Sequence, residues 1–166
     1  MDRSIFEKGI GHVVVSRTLS TGEIAMGVFL VDVYCLGVKD AFYTLRGAYT
    51  YDADIERIGG EDGFDRVNPS HARKLVEGAV AYAGDLGFEP HSDYRKAAVV
   101  FGDIDPKECH ETFAYGKDGK PFYISGPYHS PQKVERIIAI LRARCGDDGF
   151  HYLAGVDGPD DEWLEE

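Results

Sequence analysis

The segment Ile24–Leu36, IAMGVFLVDVYCL, constrains the fold more than any other part of the chain because it is almost continuously apolar. Its β-branched and aromatic residues favour a strand over a buried helix. Side chains alternate between the two faces of a strand, and both faces are apolar here, as in strands covered on both sides. The segment is too short to span a bilayer and contains a carboxylate, Asp32. We therefore expect a buried strand and no membrane partner.

The neighbouring segments predict more strands and then a long surface excursion. Gly11–Leu19 is β-branched and is followed by the turn-forming Ser20–Glu23, so it should form an antiparallel hairpin with the apolar segment. Ala41–Leu45 is a candidate third strand. Tyr49–Val67 is acidic and rich in glycine, which indicates an excursion with a helical turn around Ile55.

Capping residues predict two helices. The first begins at Asn68-Pro69 and is expected to end at Gly84, and the second begins at Ser130-Pro131 and is expected to end at Gly146. The corresponding residues are 62 positions apart, and the sequence G-D-x-G-F closes both helices. This correspondence indicates an internal repeat of a capped helix, a turn and a strand. The alternative is a chance match between two helices of similar length.

The remaining apolar segments complete an α+β prediction. Further strands are expected at Ala97–Ile104, Glu111–Tyr115, Lys120–Ile124 and Phe150–Gly155, the middle two joined as a hairpin. We expect a mostly antiparallel sheet with two main helices packed against it. Residues 1–156 are predicted to form a single domain, and residues 157–166 an acidic C-terminal tail.

The charge distribution favours a protein partner. The chain has 166 residues and a net charge of −11, which makes nucleic acid a less favoured partner and disfavours anionic lipid. Its last ten residues contain six acidic residues, no basic residue and Trp163. We interpret Trp163 as a candidate anchor in a partner's pocket, with the acidic residues against a basic rim. A merely solubilising end is the alternative.

The cysteines indicate the cellular compartment, and the absence of known catalytic motifs limits the types of reaction that the sequence suggests. The three cysteines are far apart and form no CxxC pair, and no apolar signal segment is present near the N-terminus. We therefore expect reduced thiols and a cytoplasmic location. The sequence has no phosphate-binding loop and no GxSxG or HExxH motif, so it leaves open whether the protein is an enzyme.

Three carboxylates form the candidate catalytic and metal site. Asp32 lies late in the apolar strand, and Asp103 and Asp105 lie at the end of the segment AVVFGDID. If the two strands are neighbours, these side chains supply the oxygen ligands that Mg²⁺ or Mn²⁺ prefers, as in a phosphoesterase or nuclease. The alternative is structural: Asp105-Pro106 opens a turn, and Asp32 accepts backbone hydrogen bonds where the chain leaves the strand.

A second candidate site follows the buried strand. Lys39 and Asp40 are the first charged residues after it, and they could line a pocket at the sheet edge near Tyr34 and Tyr43. A surface ion pair is the alternative. The sequence thus predicts a protein-binding or regulatory module that uses its acidic surface and tail. A divalent-metal hydrolase that uses the carboxylates is the second hypothesis.

Overall fold

The three long strands form one antiparallel sheet in a computed structural model that describes residues 1–154. They are β1 (Ile10–Thr18), β2 (Ile24–Asp32) and β3 (Gly37–Arg46), with β2 in the centre. The predicted hairpin and third strand are confirmed, with Ile10 opposite Asp32 and Ile24 opposite Arg46. The predicted central strand is shorter than its apolar sequence because the chain turns after Asp32.

Five α-helices surround this sheet within the described residues: α1 (Ile5–Lys8), α2 (Ala48–Gly59), α3 (Pro69–Leu86), α4 (Tyr94–Ala97) and α5 (Pro131–Cys145). The expected excursion after β3 is thus largely the helix α2. It is joined to the sheet by a hydrogen bond between the hydroxyls of Ser16 and Tyr51, at 2.8 Å, and by one from Arg46 to Asp54, at 2.5 Å. None of the helices in residues 1–154 has the length and apolar character needed to cross a membrane.

The larger hydrophobic core lies between the sheet and α3. Phe29 of β2 is fully buried and stacks on Phe101, with ring centroids 5.2 Å apart. The helix approaches the start of β3 so closely that a Cβ atom at Gly37 would lie 2.9 Å from the Ala79 carbonyl oxygen, and Gly37 has a φ of +67°. Only glycine combines that backbone angle with that contact. The sheet and α3 are therefore tightly joined at this end.

The strand predicted at Ala97–Ile104 is wrong. Ala97–Ile104 instead continues α4 into a 3-10 helix, Ala98–Phe101. Ala97, Val100 and Phe101 are buried there, whereas Val99 is 69% exposed. A spacing of three and four residues places the buried side chains on one side of a helical segment. A short apolar run fits helix and strand equally, and packing against the sheet decides the outcome.

A smaller core is built around α5. β4 (Phe122–Ile124) and β5 (His151–Leu153) pair in parallel beside it. The expected hairpin is reduced to a Lys117–Lys120 bridge, and residues 111–115 are not a strand. The backbone on either side of this bridge bonds to the turn after β2 instead: the Gly116 amide donates to the Val33 carbonyl oxygen and the Phe122 amide to the Tyr34 carbonyl oxygen. Buried side chains of the smaller core are Cys35, Leu86, Tyr123, Ile137, Leu141 and Phe150.

The two long helices share their start but not their continuation. Asn68 accepts a hydrogen bond from the Ser70 amide and Ser130 one from the Lys133 amide, so both predicted N-caps are confirmed. However, α3 runs past Gly84 to Leu86 and leads into α4, whereas α5 leads into β5. The predicted repeat of helix, turn and strand therefore has no strand in its first copy. The predicted tail and Trp163 lie outside the described residues.

Candidate functional site

Asp32 holds a turn that belongs to both cores. It is only 6% exposed, and its Oδ1 accepts hydrogen bonds from the amides of Tyr34, at 2.9 Å, and Cys35, at 2.8 Å. This confirms the structural alternative predicted for it. The turn places Tyr34 in the larger core and Cys35 in the smaller one. Asp32 therefore fixes the point at which the two cores meet.

A cleft of about 530 Å³ opens beside this turn, between the end of the three-stranded sheet and residues 122–133. Its size is typical of small-molecule sites. The walls are mainly apolar, and their larger side chains are Ile10, Leu30, Tyr34, Phe122, Ile124 and Tyr128. Leu30 comes from the central strand and Phe122 from β4, so the three-stranded sheet and the segment that contains β4 both contribute to the walls.

The polar groups of the cleft are mostly basic: Lys8, Lys39, His129 and Lys133. Lys8 is paired with Asp62 outside the cleft. Within residues 1–154, neither Lys39 nor Lys133 has an ion pair or a side-chain hydrogen bond, and Asp32 is the one acidic residue along the cleft. The cleft is therefore locally positive, although the chain as a whole is acidic.

A bulge in the sheet places Lys39 in the cleft. Leu30 pairs with Asp40 and Val31 pairs with Val38, so no residue of β2 stands opposite Lys39. Bulges redirect a side chain and are common beside functional sites. Lys39 lines the cleft, as the sequence suggested, whereas the Asp40 side chain is 61% exposed and does not line it. Of the two residues predicted to line a pocket, Lys39 therefore faces the cleft and Asp40 faces solvent.

The amine of Lys39 and the ring of His129 are held in an environment that disfavours their positive charge. Burial lowers the pKa of Lys39, the Asp32 carboxylate opposes this change, and the charge of Lys133 adds to it. Burial also lowers the pKa of His129, and the charges of Lys133 and Lys39 lower it further. A negative group between these side chains would stabilise their charged forms.

Tyr123 orients the ring of His129. Its hydroxyl lies 2.7 Å from Nδ1 of His129, and the Tyr123 side chain is fully buried. Burial raises the pKa of Tyr123, so the hydroxyl keeps its proton, and the tautomer of the ring decides which of the two atoms donates. When Tyr123 donates to Nδ1, the neutral ring carries its own proton on Nε2. A Cβ atom at Gly126 would lie 3.6 Å from this Nε2 and 3.7 Å from Lys39 Nζ, so both groups border the same small space.

The side chains around Asp32 do not form a nucleophilic centre. Burial raises the pKa of Asp32, and hydrogen bonds from the Cys35 and Tyr34 amides and the charge of Lys39 oppose this rise. Burial and the charge of Asp32 raise the pKa of Cys35, which is fully buried. A thiol that stays protonated is a poor nucleophile. Asp32 and Cys35 therefore stabilise the turn, and Asp32 also contributes to the electrostatic potential in the cleft.

The three carboxylates predicted as a metal site are separated. Asp103 is paired with Arg17 at 2.7 Å and its side chain is 92% exposed. Arg17 stands opposite Ala25, seven residues along β2 from Asp32, and this length of strand spans about 23 Å. Asp105 accepts a hydrogen bond from the Lys107 amide at 2.9 Å.

Each of these carboxylates therefore has a local structural role, and the predicted gathering of the three around a metal is wrong. Residues 1–154 contain no group of three or more histidine, cysteine, aspartate or glutamate side chains placed to hold a metal ion.

Sequence reasoning did not place His129, Lys133 or Tyr123 in a site with Lys39. Tyr123 lies in β4, and the hydrogen bond from the Ser125 amide to the Leu153 carbonyl oxygen, at 2.9 Å, continues the pairing of this strand with β5. No local motif marks a contact between residues so far apart in the chain. The one available signal was that His129 directly precedes the N-cap of a predicted helix.

No known protein family, curated protein or solved structure matches this chain. The function is therefore inferred from the geometry and charge of the cleft.

Proposed function

We propose that the protein is a binding module whose cleft takes a small organic anion. The apolar body of this ligand would pack against Tyr34 and Phe122, and its carboxylate or phosphate group would lie between Lys39, His129 and Lys133. The observation that carries the proposal is the partly buried Lys39, which has no ion pair within residues 1–154. Burial of an unpaired ammonium group costs free energy, and an anion would recover part of it.

The ring of His129 supports the same class of ligand. When Tyr123 donates to Nδ1, the neutral ring carries its proton on Nε2 and offers a hydrogen-bond donor next to the ammonium group of Lys39. Two donors that border one small space suit the two oxygens of a carboxylate or two oxygens of a phosphate. The apolar walls would contribute most of the binding energy, and the donors would select the anion.

A binding role agrees with the class of function that the sequence predicted, but it uses a different surface. The acidic tail lies outside the described residues, whereas the cleft has defined groups. The metal-dependent hydrolase hypothesis needs a group of side chains that can hold the metal ion, and no group of three or more such side chains is found within residues 1–154. We retain the cytoplasmic location as part of the proposal, and it is supported by three unpaired cysteines.

The proposal is tested with 2-naphthoate and its neutral counterpart, 2-naphthylmethanol. We expect isothermal titration calorimetry to detect binding of the carboxylate and at least tenfold weaker binding of the alcohol. Lys39→Met keeps the aliphatic stem but removes the charge, and it should weaken 2-naphthoate binding about tenfold, since hydrogen bonds to charged groups contribute about 1.5–3 kcal/mol. The exposed Lys107, which does not line the cleft, provides the control Lys107→Met.

A steric variant tests the location independently of charge. Gly126→Val would place methyl groups between Lys39 Nζ and His129 Nε2 without a backbone clash. It should abolish 2-naphthoate binding, whereas Gly47→Val, in open space, should not. Equal affinity for the acid and the alcohol, or unchanged binding by Lys39→Met, would refute the proposal.

A further inference from the structure

The cleft continues on the far side of its basic residues. A second depression of about 370 Å³ shares Lys39, His129 and Lys133 with the cleft. Two depressions with a common wall of three residues form one continuous surface, which we call the basic groove. Its inner half is the cleft described above. Its outer half lies between the C-terminal end of α3 and the first half of α5.

The outer half repeats the chemistry of the inner half. Its floor is apolar and includes Val38, Phe88, Ile137 and Ile140. Its additional cation is Arg136, which is exposed and has no ion pair within the described part of the chain. A single acidic residue, Glu89, lines this half.

The helix α5 explains how the basic residues form a row. Lys133 and Arg136 are three residues apart on this helix, so they project from the same side. Ile137 and Ile140 follow with the same helical spacing and turn towards the groove. A row of positive charge thus runs along the groove, with apolar surface at both ends.

We propose that the basic groove binds an extended acidic peptide segment of a partner protein. This inference rests on the proposed function, because the inner half would take one carboxylate of the peptide. Carboxylates in the middle of the segment would meet Lys39, Lys133 and Arg136, while an apolar side chain would enter the groove on either side. The pattern of alternating charge and apolar surface is complementary to such a peptide.

The groove is less suited to a nucleic acid. A net charge of −11 repels a long polyanion, and the positive charge is confined to a short row. The apolar floor of the outer half consists of aliphatic side chains and Phe88, which suits peptide side chains.

The test uses the octapeptide Ac-FLEEDELF-NH2 and its uncharged counterpart Ac-FLQQNQLF-NH2, titrated calorimetrically into the full chain. We expect the acidic peptide to bind at least tenfold more tightly. Arg136→Gln removes a cation from the outer half only, so it should weaken the acidic peptide about tenfold and change 2-naphthoate affinity less than twofold. Lys39→Met should weaken both ligands. Arg95→Gln is the matched control, since Arg95 is also exposed and lies outside the groove.

The outcomes separate the two proposals. If 2-naphthoate binds but Arg136→Gln leaves peptide affinity unchanged, the site ends at Lys133 and the peptide inference is wrong while the proposed function stands. If neither ligand binds, the proposed function fails. Equal binding of the two peptides also overturns the inference.

The chain's own acidic segment is the competing occupant. The triple substitution Asp160→Asn, Asp161→Asn and Glu162→Gln in the full chain tests it. A tenfold gain in peptide affinity would show that this segment competes for the groove and would overturn a partner protein as the occupant. An unchanged affinity supports the partner.

Discussion

The two cores of this protein differ in how they are built, and the cleft lies between them. The larger core has sixteen buried residues and rests on strands of nine and ten residues. The smaller core has six and rests on strands of three residues. Lys39 comes from the sheet of the larger core, whereas His129 and Lys133 come from the side of the smaller one. An anion in the cleft would therefore link two parts of the fold.

The largest effect is expected from truncating a side chain in each core. Phe29→Ala should lower the free energy of unfolding by about 3–5 kcal/mol, and Leu141→Ala by about 2–4 kcal/mol, because both side chains are fully buried. Urea unfolding followed by circular dichroism measures both values. We expect a single transition in each variant, since the turn at residues 33–36 and the helix α3 join the cores.

Phe42→Ala serves as the control because Phe42 is 41% exposed. A separate early transition in Leu141→Ala would contradict the single transition and show that the smaller core unfolds alone.

The turn between the cores should give the next largest effect. Asp32→Ala leaves two buried amides, those of Tyr34 and Cys35, without their acceptor and should cost about 3 kcal/mol. Asp32→Asn retains an oxygen that accepts both hydrogen bonds and should cost less than about 1 kcal/mol. Chemical unfolding at neutral pH compares the two variants. Equal losses would mean that the charge of Asp32, rather than its acceptor oxygen, stabilises the turn.

A smaller effect is expected from the hydrogen bond that orients His129. Tyr123→Phe removes this bond within the smaller core and should cost about 1 kcal/mol of stability. With Tyr123 as the donor, the His129 ring of the parent protein is expected to carry its proton on Nε2, and nitrogen chemical shifts of the ring report this tautomer. A ring protonated on Nδ1 in the parent protein would contradict the orienting role.

The smallest effect concerns pH. The pKa of His129 is lowered from its usual 6.5, so the unfolded chain takes up a proton before the folded protein does. Stability should therefore fall as the pH drops below about 6.5. Between pH 6.5 and 5, His129→Gln should lose less unfolding free energy than the parent protein does. The difference between the two losses should be below about 1 kcal/mol.

Unfolding curves at several pH values measure this difference. Burial lowers the pKa of His12 as well, so the comparison is made against the parent protein, and the exposed His110 supplies a control substitution. A profile for His129→Gln that parallels the parent would contradict the assignment.

The difference between the cores also explains how much of the fold could be predicted. β1, β2 and β3 are long, successive and joined by short turns, so their pattern is local and was correctly interpreted. β4 and β5 have three residues each, and the whole of α5 lies between them in the chain. No periodicity in the sequence indicates that these two short strands pair. The same limit accounts for the hairpin wrongly predicted at residues 111–124, whereas the strand predicted at Ala97–Ile104 was wrong because a short apolar run fits helix and strand equally.

The candidate site follows the same division. Asp32 stood out as the carboxylate in an apolar segment, and Lys39 as a charge directly after it, because both belong to the predictable sheet. The bulge that turns Lys39 into the cleft depends on pairing register, which the sequence does not reveal. His129 and Lys133 reach the cleft only through long-range packing of the smaller core.

The central claim is that a small organic anion binds between the two cores. Its most direct test is a titration of the ¹⁵N-labelled protein with 2-naphthoate, followed by amide chemical shifts. We predict that the shifts concentrate at residues 8–10, 30–39 and 122–133, the segments that line the cleft on both sides, and that Gly126→Val abolishes them. Shifts confined to other surfaces, or shifts that persist in Gly126→Val, would contradict the account.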